Sequence, residues 1–320
     1  MTSLIGNAPV DGVDVAALLG IPISAEQERA VQAPLKPCAV IAGAGTGKTT
    51  VMAARVVWLV ASRLVSPEEI LGLTFTNKAT AELSERIESN LTRVGLLTSE
   101  QPRPTVATYD SFAGTLVNDY GAWDGISTGA HLITGARAYQ LAAEVVMGLD
   151  KAPLAATHMG PTFIAQAVVK LAGAMASHDA SPGKVRRADA RWRQMLLAAP
   201  TKRGGDRYAD IDKWLSRVDE REELLDLVAA YQNLKKERGL VEFGDRMVQA
   251  LHLVTHHPRV GEELRARYRV VLLDEYQDTS SAQADVLAAL FSGPDSAHGM
   301  GHPVMAVGDP LQAIYEWRGA

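Results

Sequence analysis

Apolar positions along this chain fall into short blocks separated by longer amphipathic stretches. Five of the blocks are Cys38–Ala42, Ile70–Thr76, Thr105–Thr108, Val270–Asp274 and Pro303–Gly308, rich in Val, Ile and Leu. Unbroken apolar runs of this length suit strands covered by helices on both faces, so they predict a parallel sheet. The run Val51-Met-Ala-Ala-Arg-Val-Val57 reads as a helix after the first strand. Between the third and fourth strands lie roughly 160 residues with no comparable strand, far more than an ordinary connection. Helical spacing appears there in Ala136–Leu149, Phe163–Met175, Ala188–Leu197 and Asp219–Arg238; in the last, Leu224, Leu227, Val228, Tyr231 and Leu234 trace one face. The predicted architecture is α/β: a parallel-sheet domain from residues 1–113 and 241–320, with an all-helical insertion over 114–240. The first twenty or so residues show no packing partner and are expected to be loose.

Each predicted strand ends in polar sequence, and in open α/β sheets ligands sit at the carboxyl ends of strands. The five ends are therefore expected to converge on one crevice. The first carries Ala42-Gly43-Ala44-Gly45-Thr46-Gly47-Lys48-Thr49 between strand and helix. Small residues let backbone N–H groups turn inward around phosphate oxygens, and the helix N-terminus adds its positive end. Lys48 is expected to reach the β- and γ-phosphates and Thr49 to hold Mg²⁺. Ala42 replaces the usual first glycine, a small-for-small change. Far downstream, Asp274-Glu275 closes the apolar run Val270 to Leu273. Asp274 is expected to hold Mg²⁺, and Glu275 to orient and deprotonate an attacking water. A phosphate loop and an acidic pair together favour hydrolysis over binding alone.

Composition narrows the classes. Hydrophobic residues make up 47% of the 320 residues and charged residues 22%, as in a soluble globular chain of about two domains. No apolar run is long enough to span a membrane and no basic-then-apolar leader opens the chain, so a cytoplasmic protein is expected. Net charge is −5, which gives no overall support to nucleic-acid binding; only local basic patches do. The single cysteine, Cys38, reads as a core thiol, and no cysteine cluster suits a metal. His256-His257 precedes a proline and reads as a loop.

Weaker candidates remain. Gln312, after the fifth strand, has the chemistry to contact a γ-phosphate. Gln27, in Ser24-Ala-Glu-Gln27, has the paired donor and acceptor that read adenine, although the same string is also a helix cap. Tyr315, Trp317 and Arg318 form an aromatic and cationic cluster, and Phe75 and Phe112 end two other strands. Such groups stack bases and take phosphates, or they pack a domain interface. Lys184, Arg186, Arg187, Arg191, Arg193, Lys202, Arg203 and Arg207, opposed by Asp189 and Asp206, read equally as a phosphate-tracking strip or a solvated helix face.

In order, Gln27, the phosphate loop, Leu73-Thr-Phe-Thr-Asn-Lys-Ala79, Asp274-Glu-Tyr-Gln-Asp-Thr279 and Val307-Gly-Asp-Pro-Leu-Gln-Ala-Ile-Tyr-Glu-Trp-Arg-Gly-Ala320 resemble superfamily 1A DNA helicases of the UvrD, Rep and PcrA type. Met52-Ala-Ala-Arg-Val-Val-Trp-Leu-Val60 and Thr108-Tyr-Asp-Ser-Phe-Ala-Gly-Thr-Leu116 look closer to the motor subunits of the actinobacterial AdnAB helicase–nuclease. The resemblance implies a RecA-like P-loop domain 1A with a helical domain 1B, using ATP and Mg²⁺. It further implies a 3′-to-5′ translocase on single-stranded or partly duplex DNA, acting in repair or recombination, with a second helicase subunit as a conceivable partner. By that resemblance Gln27 contacts adenine, the loop from Ala42 to Thr50 cradles the nucleotide, and Lys48, Glu275 and Gln312 serve catalysis. Thr49 and Asp274 hold the metal, while Phe75, Asn77, Tyr315, Trp317 and Arg318 line the DNA track. Thr50 stands where such proteins often carry an arginine, and Asp110 where they usually carry histidine. A second RecA-like domain, the source of arginine fingers, is expected to lie outside these residues. The rival readings are an ATP- and DNA-binding module without useful turnover, and a P-loop ATPase acting on proteins.

Overall fold

The computed structural model describes residues 10, 12–127, 129–150, 160–202 and 205–314. Two short helices come first, α1 (Val15–Leu19) and α2 (Ala25–Val31). Strand β1 (Cys38–Ile41) leads into α3 (Lys48–Ala61), then β2 (Ile70–Thr74), α4 (Asn77–Arg93), β3 (Thr105–Thr108) and α5 (Tyr109–Tyr120). The middle of the chain adds β4 (His131–Leu132), α6 (Gly135–Met147), α7 (Pro161–Ser177), α8 (Pro182–Leu197), α9 (Ala209–Glu237) and β5 (Leu240–Val241). It closes with α10 (Phe243–His256), α11 (Pro258–Arg267), β6 (Val270–Leu273), α12 (Ser281–Phe291) and β7 (Val304–Gly308).

The five long strands form one sheet in the order β1-β7-β6-β2-β3, every neighbouring pair parallel. The chain is mixed α/β with a parallel central sheet, as the apolar runs predict. β2 and β6 are buried throughout, which is why they read as continuous apolar blocks. Helix α3 buries nine of its fourteen residues, so it belongs to the core rather than to a half-wet surface. α4 buries only Leu83, Ile87 and Leu91, a single stripe on an otherwise polar helix.

Two compact units emerge, one holding the chain up to Asp124 and from Ala250 onward, the other Gly125–Gln249. These bounds differ from 114 and 240 by about ten residues at each end. Helix α5 packs on β2 and β3 and so stays with the sheet, while α10 runs across the second boundary. The second unit packs α6, α7 and α9 around Leu141, Val168, Leu225, Val228 and Tyr231. It also holds the parallel pair β4–β5, which two-residue strands leave invisible to periodicity. α8 lies on α9 chiefly through charge: Arg221 donates to Asp189 at 2.7 Å, Arg186 meets Glu222 and Asp226, and Arg193 meets Asp219. Two cations of the basic strip, Arg186 and Arg193, are therefore tied up within the hairpin.

Near the amino terminus the outcome differs from expectation. Val15 and Leu19 of α1 are buried in the core of the first unit, with Asp14 capping the helix through Ala17 N at 2.9 Å. His256 ends α10 and His257 caps α11, both beside Asp124, rather than forming a loop. Cys38 is half-buried, and burial pushes its thiol up. Among the described residues no helix is long and apolar enough to cross a membrane.

Candidate nucleotide site

The loop between β1 and α3 is shaped by two glycines in the left-handed region, Gly45 at φ +74° and Gly47 at φ +84°. Side chains rarely adopt that backbone, so these positions need glycine. Thr46 closes the turn, its hydroxyl donating to Gly43 O at 2.8 Å. Gly47 is the cap of α3 and supplies no side-chain cap of its own, leaving the first N–H groups of the helix open to an acceptor. Gln27 is anchored to this loop. Its amide donates to Thr46 O at 2.9 Å and accepts from Ser24 N at 2.9 Å, within a capping box on α2. The helix-cap reading of Gln27 therefore holds, its amide also reaches the phosphate loop, and an adenine edge would have to compete with these two bonds.

A buried arginine sets how α2 meets the loop. Arg55 on α3 is 1% exposed and donates to the carbonyls of Val31 at 2.9 Å and Ala33 at 2.8 Å. Carbonyl acceptors offset the desolvation of the guanidinium, while burial lowers its pKa.

Three strand ends meet at the phosphate loop. Lys48 donates to Glu275 Oε2 at 2.8 Å, and the lysine side chain is only 10% exposed. Gln277 donates to the same Glu275 oxygen at 2.7 Å and accepts from Asp309 N at 3.0 Å. Asp309 in turn accepts from Leu311 N and from the Gln312 side chain, and it lies beside Gly43 of the loop. One chain of hydrogen bonds thus links the ends of β1, β6 and β7. Glu275 sits at φ +46°, a backbone position that costs a glutamate of order 1–3 kcal/mol and that the surrounding bonds must hold.

Asp274 is 6% exposed. Burial first, and the neighbouring Glu275 second, push its pKa up to about 6, with Lys48 acting in the opposite direction. Its N–H continues the β2 ladder to Leu73 O at 2.8 Å, and its carbonyl accepts from the buried Tyr109 hydroxyl at 3.2 Å. The end of β3 is joined to the cluster through that tyrosine. Thr49 lies one residue beyond Lys48 in the first turn of α3, half-buried. Hydroxyl and carboxylate oxygens of this kind suit a hard divalent cation.

Thr50 accepts a hydrogen bond at 2.8 Å from Arg86 of α4. A guanidinium therefore stands at the loop although position 50 itself carries none. Arg86, Gln277, Asp309 and Tyr109 are the residues that sequence reasoning missed. For Gln277, Asp309 and Tyr109 only the motif neighbourhood, close to the strand ends, is a signal; Arg86, in the middle of α4, has none.

The remaining candidates divide. Phe75 is half-buried and Asn77 exposed at the start of α4. Phe112 is buried in α5, which favours packing over base stacking. Asp110 accepts from Gln283 of α12 at 3.4 Å. Tyr315, Trp317 and Arg318 lie outside the described residues.

With this geometry in view, the comparison with known families is direct: residues 23–320 match the model of the UvrD/REP helicase N-terminal domain. The chain belongs to that family. Similar proteins of the UvrD type include DNA helicase II of Rickettsia typhi, 27% identical over 301 residues, or 93% of this chain and 38% of that one. The ATP-dependent DNA helicase UvrD1 of Mycobacterium tuberculosis is 28% identical over 303 residues, 93% of this chain and 34% of that one. DNA helicase II of Haemophilus influenzae is 29% identical over 309 residues, 96% of this chain and 36% of that one. The chain thus spans under two fifths of the length of these relatives. The relatives named here are of UvrD type, and the expected nearness to AdnAB gains nothing from them.

Proposed function

We propose that this chain is the ATP-binding part of a DNA helicase or translocase that couples ATP hydrolysis to movement on single-stranded DNA. The observation that carries the reading is the Lys48–Glu275–Gln277–Asp309 chain of bonds, which unites three strand ends at one phosphate loop. Ala42 to Thr50 present backbone N–H groups to the phosphates, with Lys48 as the charged partner. Lys48 then exchanges Glu275 for a phosphate oxygen, releasing that carboxylate to take a proton from water. Gln277 holds Glu275 in place during the exchange. Gln312, gripped by Asp309, is positioned to report on the γ-phosphate. Thr49 and Asp274 are the residues that would hold Mg²⁺, whose charge stabilises the transferring phosphoryl group. Gln27 is the proposed adenine contact.

On the DNA side, Phe75, Asn77, Tyr315, Trp317 and Arg318 are the proposed track for single-stranded or partly duplex DNA. The sheet unit corresponds in this reading to domain 1A and the helical unit to domain 1B. The 3′-to-5′ direction, a role in repair or recombination and a cytoplasmic location belong to the same reading, supported by the family resemblance. A second helicase subunit finds no support in the relatives. Measuring ATP hydrolysis with and without single-stranded DNA, in the native chain and in Lys48→Ala, tests the core of the proposal. Hydrolysis that survives Lys48→Ala, or no ATP binding by the native chain, would overturn it. Displacement of end-blocked oligonucleotides by a full-length relative carrying this segment tests the direction.

A further inference from the structure

Away from the phosphate loop, the segment leading into α1 and the carboxyl ends of α2 and α3 line an open pocket of about 550 Å³. That is within the usual size of a small-molecule site. It is separate from the nucleotide cradle: α3 runs from Lys48 at the loop to Trp58 and its cap Ser62 at the cavity, about 21 Å along its axis. On α2, Gln27 reaches the loop whereas Glu28 and the helix's cap, Gln32, line the pocket.

Its walls have a definite chemistry. Val13, Leu64 and the Trp58 ring are apolar, while Asp14 and Glu28 bring two carboxylates, and no lysine or arginine lines it among the described residues. Asp14 Oδ1 is used by Ala17 N and Glu28 Oε1 by Gln32, which leaves the second oxygen of each carboxylate as an acceptor. Ser62 is 3% exposed, and its hydroxyl has no hydrogen-bond partner within the protein. A buried hydroxyl left unpaired costs about 1–3 kcal/mol, so a native fold rarely keeps one without a use. Arg55, on the same helix as Trp58, lies over that ring at 5.9 Å and is spent on backbone carbonyls.

We infer that this cavity is a second ligand site, taking an ammonium or guanidinium group carried on an apolar body. The cation meets Asp14 and Glu28, the body packs on Trp58, Val13 and Leu64, and Ser62 accepts a remaining N–H after rotating about its Cα–Cβ bond. Such a group arrives either on a free amine or on a basic side chain of a partner protein.

Calorimetric titration with phenethylamine, its neutral counterpart 2-phenylethanol and an acetyl-Phe-Arg-amide peptide tests the site. Phenethylamine should bind at least tenfold more tightly than the alcohol. Glu28→Gln and Asp14→Asn keep the Gln32 bond and the α1 cap, so the fold should hold. Each should weaken amine binding about tenfold, a charge-assisted bond's worth, and leave the alcohol unchanged. Tighter binding of the peptide than the amine identifies a partner's side chain as the source; the reverse identifies a free amine. Equal affinity for amine and alcohol, indifference to both substitutions, absence of binding at millimolar amine, or simple competition by ATP would each overturn the inference.

Discussion

Gly308, the last residue of β7, offers a sharp test of the hydrogen-bond chain. A Cβ placed there would land on Gln277 Oε1 and lie 3.3 Å from Tyr276 N. The first of these atoms ends a flexible side chain, so in Gly308→Ala the glutamine swings away rather than the strand moving. Two bonds are then lost, to Asp309 N at 3.0 Å and to Glu275 Oε2 at 2.7 Å. A neutral bond is worth about 1 kcal/mol and one to a charge about 1.5–3, less where water replaces them, and Gln277 is half-exposed. The expected cost is about 2 kcal/mol, or roughly 4–8 °C in melting temperature for a domain of 150–250 residues. Hydrolysis should suffer more, because Glu275 loses the neighbour that fixes it; misplacement by about 1 Å costs on the order of a hundredfold. Single-turnover ATP hydrolysis and thermal melts of Gly308→Ala, Gln277→Ala and the double variant measure this. If glycine acts through Gln277, the alanine at 308 adds under about 0.5 kcal/mol once Gln277 is gone. Additive losses in the double variant would refute the argument.

Other perturbations separate the remaining contributions. Lys48→Ala should abolish ATP binding or turnover while circular dichroism stays native, since Glu275, the partner left behind, keeps its bond to Gln277 and is 36% exposed to water. ATP should bind more tightly than GTP in competition, and equal affinities would remove Gln27 from the adenine contact. Asp274 has a folded pKa of about 6 against an ordinary value of 3.8, so the native state binds the extra proton between those values. Stability should therefore rise as pH falls through 6 toward 4, and Asp274→Asn should stabilise the metal-free chain by about 3 kcal/mol at pH 7.5, an advantage that fades by pH 4 in urea titrations. Arg221→Met strands the buried Asp189 carboxylate and should destabilise the helical unit by about 3 kcal/mol, with hydrogen exchange rising first along α8.

Much of this was legible because the chemistry is local. Val270–Leu273 and Ile70–Thr74 are buried on both faces, so their composition alone marks them as strands. Gly45 and Gly47 announce a loop that only glycine can make. Less visible were contacts that join distant segments. Nothing in the text of α4 says that Arg86 reaches Thr50, and nothing in Gln277 says that it touches both Glu275 and Asp309. α4 itself has one apolar residue per turn, Leu83, Ile87 and Leu91, too thin a stripe to stand out in a polar run. α1 is not legible because five residues are too few to show a period, though two of them reach the core.

The strand order carries a consequence for synthesis. As the chain leaves the ribosome, β1, β2 and β3 emerge first, yet β1 and β2 are not neighbours. A gap two strands wide, about 14 Å between their axes at the usual spacing, must wait for β6 and β7. At bacterial or slower elongation rates the intervening residues take about 10–40 s to arrive. During that interval the inner edges of β1 and β2 are unsatisfied, which makes the nascent chain a client for chaperones and for premature edge pairing. The same delay has a protective side. The phosphate loop is translated long before Glu275, so on the role proposed for Glu275 a half-made chain is unable to hydrolyse nucleotide, and the insertion of the last two strands is the step that closes the vacancy in the sheet.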